Sequence, residues 1–296
     1  MGAPYAEGMA EREGVHFLNG HGTQNDFVIL PDADAQLDLT AAKVAAICDR
    51  RAGIGADGVL RVVPVHAVDG ISAARAQWFM DYRNADGSIA EMCGNGARVF
   101  ARFLADEGWE ANSQFVIATR AGEHEVSVGP RGQVSVEMGK AIDGPLGDSP
   151  KVLVAGEPRD ADAWWVPNPH AVVFVDDVVA LESPLLAPEV IAYGRFPDGQ
   201  NVEYACDRTI GDELHAEVRV HERGVGETKS CGTGVYAVSL SLRKRHNVAG
   251  PSTSTVDVPG GRLWVEHAAD GRVRLVGPTE LVARGTFLAK WWENAG

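Results

Sequence analysis

The chain has 296 residues, 45% of them hydrophobic and 23% charged, with a formal net charge of −14. That is a globular balance with room for two domains of ordinary size. The acidic excess argues against nonspecific nucleic-acid binding, which needs a basic face, and no apolar run approaches the length of a membrane-spanning helix.

Met1 to Gly14 are acidic, lack an apolar signal core and read as a loose leader to a protein that is not secreted. Ala6 stands where a myristoylation motif needs Ser or Thr. From Val15 the sequence becomes strand-like. His21-Gly22-Thr23-Gln24-Asn25-Asp26 then reads as a loop feeding an apolar strand, with Asn25 a residue that can face a ligand. A helical pattern covers Thr40 to Arg51 and holds Cys48. Gly53-Ile54-Gly55-Ala56-Asp57-Gly58 matches G-x-G-x-x-G. A helix precedes it and the strand Val59–Val63 comes after it, the reverse of a dinucleotide fingerprint. Gln77 to Tyr82 reads as a strand and Arg83 to Ser88 as a turn built on Asp-Gly, which brings Asn84 close to Cys93.

That cysteine belongs to Met92-Cys93-Gly94-Asn95-Gly96. The stretch opens a segment with Ala97, Phe100, Ala101 and Leu104 at i, i+3, i+4 and i+7, the pattern of a buried helix ending near Gly108. Strands at Gln114–Thr119, Glu123–Val128 and Gln133–Met138 come next. From Gly139 to Pro158 the composition shifts to Gly, Pro and Asp, where a domain change is expected.

The second half repeats the plan. Asn168-Pro169-His170 leads into the strand Ala171–Val175, and Asn201 opens a short strand through Tyr204 that reaches Cys206. His215–Val220 alternates cleanly and runs into Glu222-Arg223-Gly224. Ser230-Cys231-Gly232-Thr233-Gly234 then opens a second helix that is apolar nearly all round. Strands at Ser254–Val258, Arg262–Glu266 and Arg272–Val276 come after it, and Phe287–Trp292 is expected to pack back on the first domain. Strands outnumber helices and hairpin signals join them, an α+β pattern.

Two cysteines thus sit 138 residues apart, each at the start of a buried helix. First-turn N–H groups and the helix dipole favour thiolate there and also attract a carboxylate. The matched pair suggests one base and one acid on opposite faces of a single carbon. Such a pair inverts an amino-acid α-carbon without a pyridoxal cofactor, for which no lysine site is recognisable. The spacing leaves open two structural cysteines in Gly-rich turns, and a single nucleophilic cysteine with a nearby histidine in acyl transfer. Cys48 and Cys206 read as small core residues, and free thiols point to a reducing cytoplasm.

Six motifs in order carry a specific resemblance: HGTQNDFVIL (21–30), RNADGS (83–88), MCGNGARVFARF (92–103), NPHAVVF (168–174), NVEY (201–204) and ERGVGETKSCGTG (222–234). With them the chain resembles the diaminopimelate epimerases. The resemblance implies an α+β fold of two pseudo-symmetric domains, each a mostly antiparallel sheet wrapped around a central helix, with the site in the cleft. It places residues 1–137 with 278–296 in the domain carrying Cys93, and 138–277 in the domain carrying Cys231. It implies cofactor-independent, metal-free interconversion of LL- and meso-2,6-diaminopimelate in lysine and peptidoglycan precursor synthesis, with no nucleic-acid or membrane partner.

By the same resemblance Cys93 and Cys231 are the acid/base pair, and His170 and Glu222 tune them. Gly94, Asn95, Gly232 and Thr233 clamp the reacting carboxylate. Asn25, Asn84, Asn168, Asn201, Glu222 and Arg223 hold the substrate, with Arg223 suited to the distal carboxylate and Glu222 to the distal ammonium. There are departures from the family pattern. Gln24 replaces a frequent glycine, Gly58 stands where some members carry Gln, and Ala283 stands where some carry a tyrosine supporting a homodimer. Proline and hydroxyproline racemases are the nearest rival; their first motif usually has His after Cys-Gly, where this chain has Asn95.

Overall fold

The polar cluster after Gly22 folds as a turn far tighter than the loop its composition suggests. Thr23 and Gln24 both take positive φ, 51° and 60°. They join the strands His16–Gly22 and Asn25–Pro31, whose last and first residues pair directly. Two left-handed residues between paired strands make the turn whose twist matches a hairpin. The frequent glycine at position 24 has its reason here, because only glycine adopts that backbone without strain. Gln24→Gly is expected to raise the unfolding free energy by up to ~1 kcal/mol, read by chemical denaturation; unchanged or lower stability contradicts the strain assigned to this turn.

The computed structural model describes residues 14–143, 149–191 and 196–296. The leader expected at Met1 to Gly14 lies, but for its last residue, outside the described residues. The described helices are α1 (Ala41–Cys48), α2 (Gly94–Asp106), α3 (Gly232–Arg245) and α4 (Ala289–Asn294). The chain divides into two units, one of Met1–Val136 with Pro278–Gly296 and one of Glu137–Gly277.

In the first unit the sheet runs from Glu280–Thr286 to His16–Gly22, then through Asn25–Pro31, Gly58–Pro64, Trp78–Asn84, Gln114–Thr119, Gly122–Val128 and Gln133–Glu137. From His16–Gly22 onward the six pairings are antiparallel, parallel, antiparallel, parallel, antiparallel and antiparallel. The second unit repeats that succession through Glu157–Trp165, Pro169–Phe174, Asn201–Asp207, Leu214–Glu222, Ser252–Val258, Gly261–His267 and Val273–Pro278. A parallel pair needs a long crossover. In each unit the second crossover is the cysteine and its helix, α2 or α3. The sheet therefore wraps a helix whose first turn holds the thiol.

Burial explains why these two helices are central. In α2, Val99, Phe100, Phe103 and Leu104 are fully buried, each contributing roughly 1.5–3 kcal/mol. In α3, Tyr236, Val238 and Leu242 are buried, and Trp164 Nε1 donates to Ser241 Oγ at 2.8 Å, tying helix to sheet. Gly108, at φ 71°, ends α2 through a left-handed cap, and Arg243, Lys244 and Arg245 fill the last turn of α3, where the dipole favours cations.

Helix α1 ends at Cys48, three residues before the pattern in the sequence, because Asp49 Oδ1 accepts the N–H groups of Arg51 and Ala52 and closes a turn. The strands Lys151–Val154, Glu157–Trp165 and Glu280–Thr286 were not apparent from alternation. Phe287 and the partly buried Trp291 and Trp292 pack with α1, so the C-terminal segment completes the core of the first unit. No described helix is long and apolar enough to cross a membrane.

A buried ion cluster stiffens the first unit beside the turn that leads to Cys93. Arg83 Nε donates to Asp81 Oδ1 at 2.8 Å and Arg120 Nη2 to the same oxygen at 2.5 Å. Arg120 Nη1 also reaches the carbonyls of Tyr82 and Ala90 at 3.3 and 3.5 Å. Burial pushes the Asp81 carboxyl up, but the bonds from Arg83 and Arg120 outweigh it and hold it below its ordinary 3.8. A group depressed in the folded state contributes stability that is complete above the unfolded value and lost as pH falls through the folded one. The melting temperature is therefore expected to fall on acidification below about pH 3.8. Asp81→Asn is expected to cost roughly 3–5 kcal/mol at neutral pH and to flatten that acid limb; an unchanged limb in the variant contradicts the assignment.

Candidate active site

In the first unit the candidate residues start at Cys93, the N-cap of α2, with extended backbone at φ −139° and ψ 117°. Its Sγ accepts the Gly96 N–H at 3.4 Å and lies 3.8 Å from Asn25 Oδ1. Asn25 is held in that orientation from behind. Its Nδ2 donates to Asp57 Oδ2 at 2.8 Å, and Arg50 Nη2 braces both Asp57 and Asp26 at 2.7 Å. Its Oδ1 therefore faces the thiol and also accepts Asn95 Nδ2 at 3.2 Å. Asn84 sits at the end of Trp78–Asn84, where Tyr82 Oη donates to its Oδ1 at 2.8 Å and its own Nδ2 donates to Ser88 Oγ at 3.0 Å.

Beneath this layer lies a residue that sequence reasoning passed over. Arg98 is fully buried on α2, one turn beyond Gly94. It donates to Asn95 Oδ1 at 2.8 Å, to the Gly94 carbonyl at 3.3 Å and to Thr23 Oγ1 at 3.4 Å. Among the described residues no carboxylate pairs with it, and its Nε has no hydrogen-bond partner. Burial pulls its guanidinium down to about 10, and negative charge on Cys93 opposes that fall. Arg98 is thus a cation at neutral pH whose charge acts on the Cys93 sulfur.

The second unit places its cysteine at the same corner of its own sheet, with carboxylates in place of the buried arginine. Cys231 is the N-cap of α3 and is 8% exposed, and its Sγ lies 3.4 Å from Thr233 Oγ1. Burial pushes its thiol well above the usual range. The carboxylates of Glu222 and Glu203 push the same way, against Thr233 and the Gly234 N–H. Glu222 closes the strand Leu214–Glu222 as Asn84 closes its own strand, and its Oε1 accepts Thr228 Oγ1.

His170 is fully buried; its Nδ1 lies 2.7 Å from Glu203 Oε1 and its Nε2 lies 3.0 Å from Asn168 Oδ1. Asn201 pairs with His170 across parallel strands, and its Oδ1 accepts the Arg223 N–H at 2.9 Å. The Arg223 guanidinium donates to the Asp198 and Gly199 carbonyls at 3.0 and 3.4 Å.

In the first unit Asn25, Gly94 and Asn95 stand with Cys93, and Asn84 closes the strand Trp78–Asn84. In the second, Glu222, Gly232 and Thr233 stand with Cys231, and Asn168, His170, Asn201 and Arg223 are joined to one another by hydrogen bonds and strand pairing. Sequence reasoning missed Asp57, Arg50 and Arg98 in the first and Glu203 in the second. For Arg98 and Glu203 the signal was a lone charge inside an apolar run. The other cysteines differ in kind: burial, then Asp26 and Asp57, push Cys48 up to about 12, and Cys206 donates to the Asp176 carbonyl at 3.0 Å. None of the four is in a disulfide, and no described cluster has the makings of a metal site.

Comparison with known proteins agrees in family and fold. The family model "Diaminopimelate epimerase" matches residues 17–142 and 165–282. A diaminopimelate epimerase of Streptomyces coelicolor is 46% identical over 287 residues, covering 95% of this chain and 98% of the relative. One of Thermobifida fusca is 47% identical over 283 residues, covering 92% and 97%. One of Mycobacterium tuberculosis is 44% identical over 298 residues, covering 95% and 99%. Among solved structures, a PhzF-family phenazine biosynthesis protein of Bacillus anthracis superposes with a TM-score of 0.66 at 16% identity, covering 94% of this chain and all of that one. A hydroxyproline epimerase of Agrobacterium vitis, solved with trans-4-hydroxy-L-proline, superposes with a TM-score of 0.66 at 12% identity, covering 93% and 91%. These two share the fold.

Proposed function

This chain belongs to the diaminopimelate epimerase family, and on that premise we propose that it interconverts LL- and meso-2,6-diaminopimelate, with Cys93 and Cys231 as the proton-moving pair. The observation that carries the reading is the repetition of one device. A cysteine is the N-cap residue of a buried central helix twice, at the same topological position in each unit.

The chemistry rests on what such a pair can do. One sulfur, as thiolate, takes the α-proton; a C–H bond breaks and an S–H bond forms. The other sulfur, as thiol, gives a proton to the opposite face; an S–H bond breaks and a C–H bond forms. The enzyme ends with the charge on the second sulfur and returns through solvent, so the pair titrates as one coupled unit. Charge developing on the substrate carboxylate is met by first-turn N–H groups at Gly94 and Asn95 and at Gly232 and Thr233, already aimed before the reaction begins. Asn25 and Asn84 on one side and Asn168 and Asn201 on the other hold the amino-acid groups. Glu222 and Arg223 take the distal ammonium and carboxylate. His170 and Glu222 tune the cysteines. No electron-sink cofactor or metal enters these steps.

Asn95 favours this reading over a proline-type racemase. So does the Glu222-Arg223 pair, since proline has no distal charged end to meet it. The reaction serves the making of lysine and peptidoglycan precursors, and its dependence on free thiols suits a reducing cytoplasm.

Incubation of reduced protein with LL-diaminopimelate is expected to give the meso form. Absence of meso product, with folded and reduced protein, overturns the proposal.

A further inference from the structure

A buried carboxylate that no step above uses stands beside one of the two cysteines. Glu203 lies in the strand Asn201–Asp207, is fully buried, and has Val202 and Tyr204 buried on either side of it. Its Oε1 accepts from His170 Nδ1 at 2.7 Å; its Oε2 is buried with no hydrogen-bond partner. The carboxylate lies against α3 where that helix has no side chain: a Cβ built on Gly234 would sit 2.6 Å from Oε1 and 3.2 Å from Cγ. Gly234 is three residues beyond Cys231, in the first turn of the helix whose N-cap residue is Cys231.

Burying a carboxylate with one oxygen unpaired costs several kcal/mol, so a fold that keeps one beside a thiol needs a reason for it. Two effects are available here. The carboxylate anchors His170 through Nδ1 and so orients the ring, whose Nε2 lies 3.0 Å from Asn168 Oδ1. Its negative charge, in a place water does not reach, opposes a second negative charge on the nearby sulfur.

Resting on the reading of function above, we propose that Glu203 is a positioning residue for the epimerisation: it holds the His170–Asn168 arm in place and keeps the proton on Cys231 between turnovers. The surroundings of the two cysteines are then oppositely charged, each within its own unit. Buried Arg98 stands on the Cys93 side, and buried Glu203 stands with Glu222 on the Cys231 side. The coupled pair rests with its charge on Cys93 and its proton on Cys231.

The titratable groups that face Cys231 are Glu222 from Leu214–Glu222 and Glu203 from Asn201–Asp207, with His170 of Pro169–Phe174 behind Glu203. From Gly261–His267, His267 meets α3 farther along, at Ser239. Of these, Glu203 alone is fully buried with an unsatisfied carboxylate oxygen.

The test is the pH profile of Cys231 alkylation by iodoacetamide, read by peptide mass spectrometry in wild type and Glu203→Gln. Gln keeps the volume and an acceptor for His170 and removes the charge. The alkylation midpoint of Cys231 is expected to fall by roughly one pH unit or more. The kcat for LL-diaminopimelate is expected to fall at least tenfold with KM changed much less. A Cys231 midpoint that stays put, whatever the variant's melting temperature, reduces Glu203 to a structural residue and overturns the proposal. Where Glu203→Gln does not fold, Glu203→Asp carries the test: the charge stays, so the midpoint should hold while kcat falls, and a shifted midpoint overturns it. Alkylation needs no substrate. A wild type that fails to epimerise therefore removes the reading of function while the thiol profile still judges Glu203.

Discussion

Cys93→Ala and Cys231→Ala are each expected to remain folded and to lose turnover of LL-diaminopimelate by at least about 10³-fold. General acid or base catalysis by one positioned group contributes roughly 10²–10⁴-fold, and neither half of a two-base inversion proceeds without its partner. The loss should fall on kcat and leave substrate binding largely in place, because the polar groups around each helix N-terminus do not depend on sulfur. Asn25 is fixed by Asp57 and Arg50, and Asn201 by the Arg223 backbone. Stability should change little at Cys93, which is only partly buried, and more at Cys231, which is 8% exposed. Removing the small buried thiol leaves a modest cavity, worth about 1–2 kcal/mol. Near-wild-type turnover in either variant, measured by chiral analysis of the product, contradicts the paired mechanism.

Arg98→Met is the second large effect expected, and it acts without touching the substrate. The guanidinium is fully buried under the first turn of α2, and its bonds reach Asn95, the Gly94 carbonyl and Thr23. Methionine fills much of the volume but makes none of those bonds, each worth roughly 1.5–3 kcal/mol from a charged donor. It also removes the cation that favours negative charge on Cys93. The alkylation midpoint of Cys93 should rise by roughly one pH unit or more, and kcat/KM at neutral pH should fall about 10²-fold. Part of that loss should return at higher pH as the thiolate is restored. Arg98→Lys keeps a charge without the planar fork and should fall between. A Cys93 midpoint unmoved in Arg98→Met contradicts the electrostatic role and leaves Arg98 a packing residue.

These two experiments bear on features of unequal visibility in the sequence. Both cysteines, their helices and most of the strands were legible, because the chain states them locally: Gly-X-Gly behind a cysteine, apolar residues at helical spacing, and alternation between Asp-Gly or Gly-Gly turns. The strand Glu280–Thr286 was not, since most of it is half-buried or exposed and its pattern does not alternate. Lys151–Val154 and Glu157–Trp165 were hidden for a different reason. Their composition reads as a boundary, and the turn between them depends on Ala155 and Gly156 both taking positive φ, 51° and 82°.

The polar layer behind the cysteines was the least legible part. Arg98 looks like a break in the apolar face of α2 until Asn95 and Thr23 are seen around it. Glu203 finds His170 only because Pro169–Phe174 and Asn201–Asp207 pair in parallel, in a register that sets Asn201 beside His170. Residues 33 apart carry no spacing signal, so only the fold pairs them.

The most direct measurement of the two-base account is an isotope experiment on the first few per cent of reaction. LL-diaminopimelate with protium at its α-carbons is mixed with reduced protein in D2O, and both epimers are recovered. The account predicts meso product carrying one deuterium at the inverted carbon, and unreacted LL substrate still carrying protium. Meso product that keeps its original proton, or LL substrate that gains deuterium before any inversion, would show a single group working one face, and the paired-cysteine mechanism would be wrong.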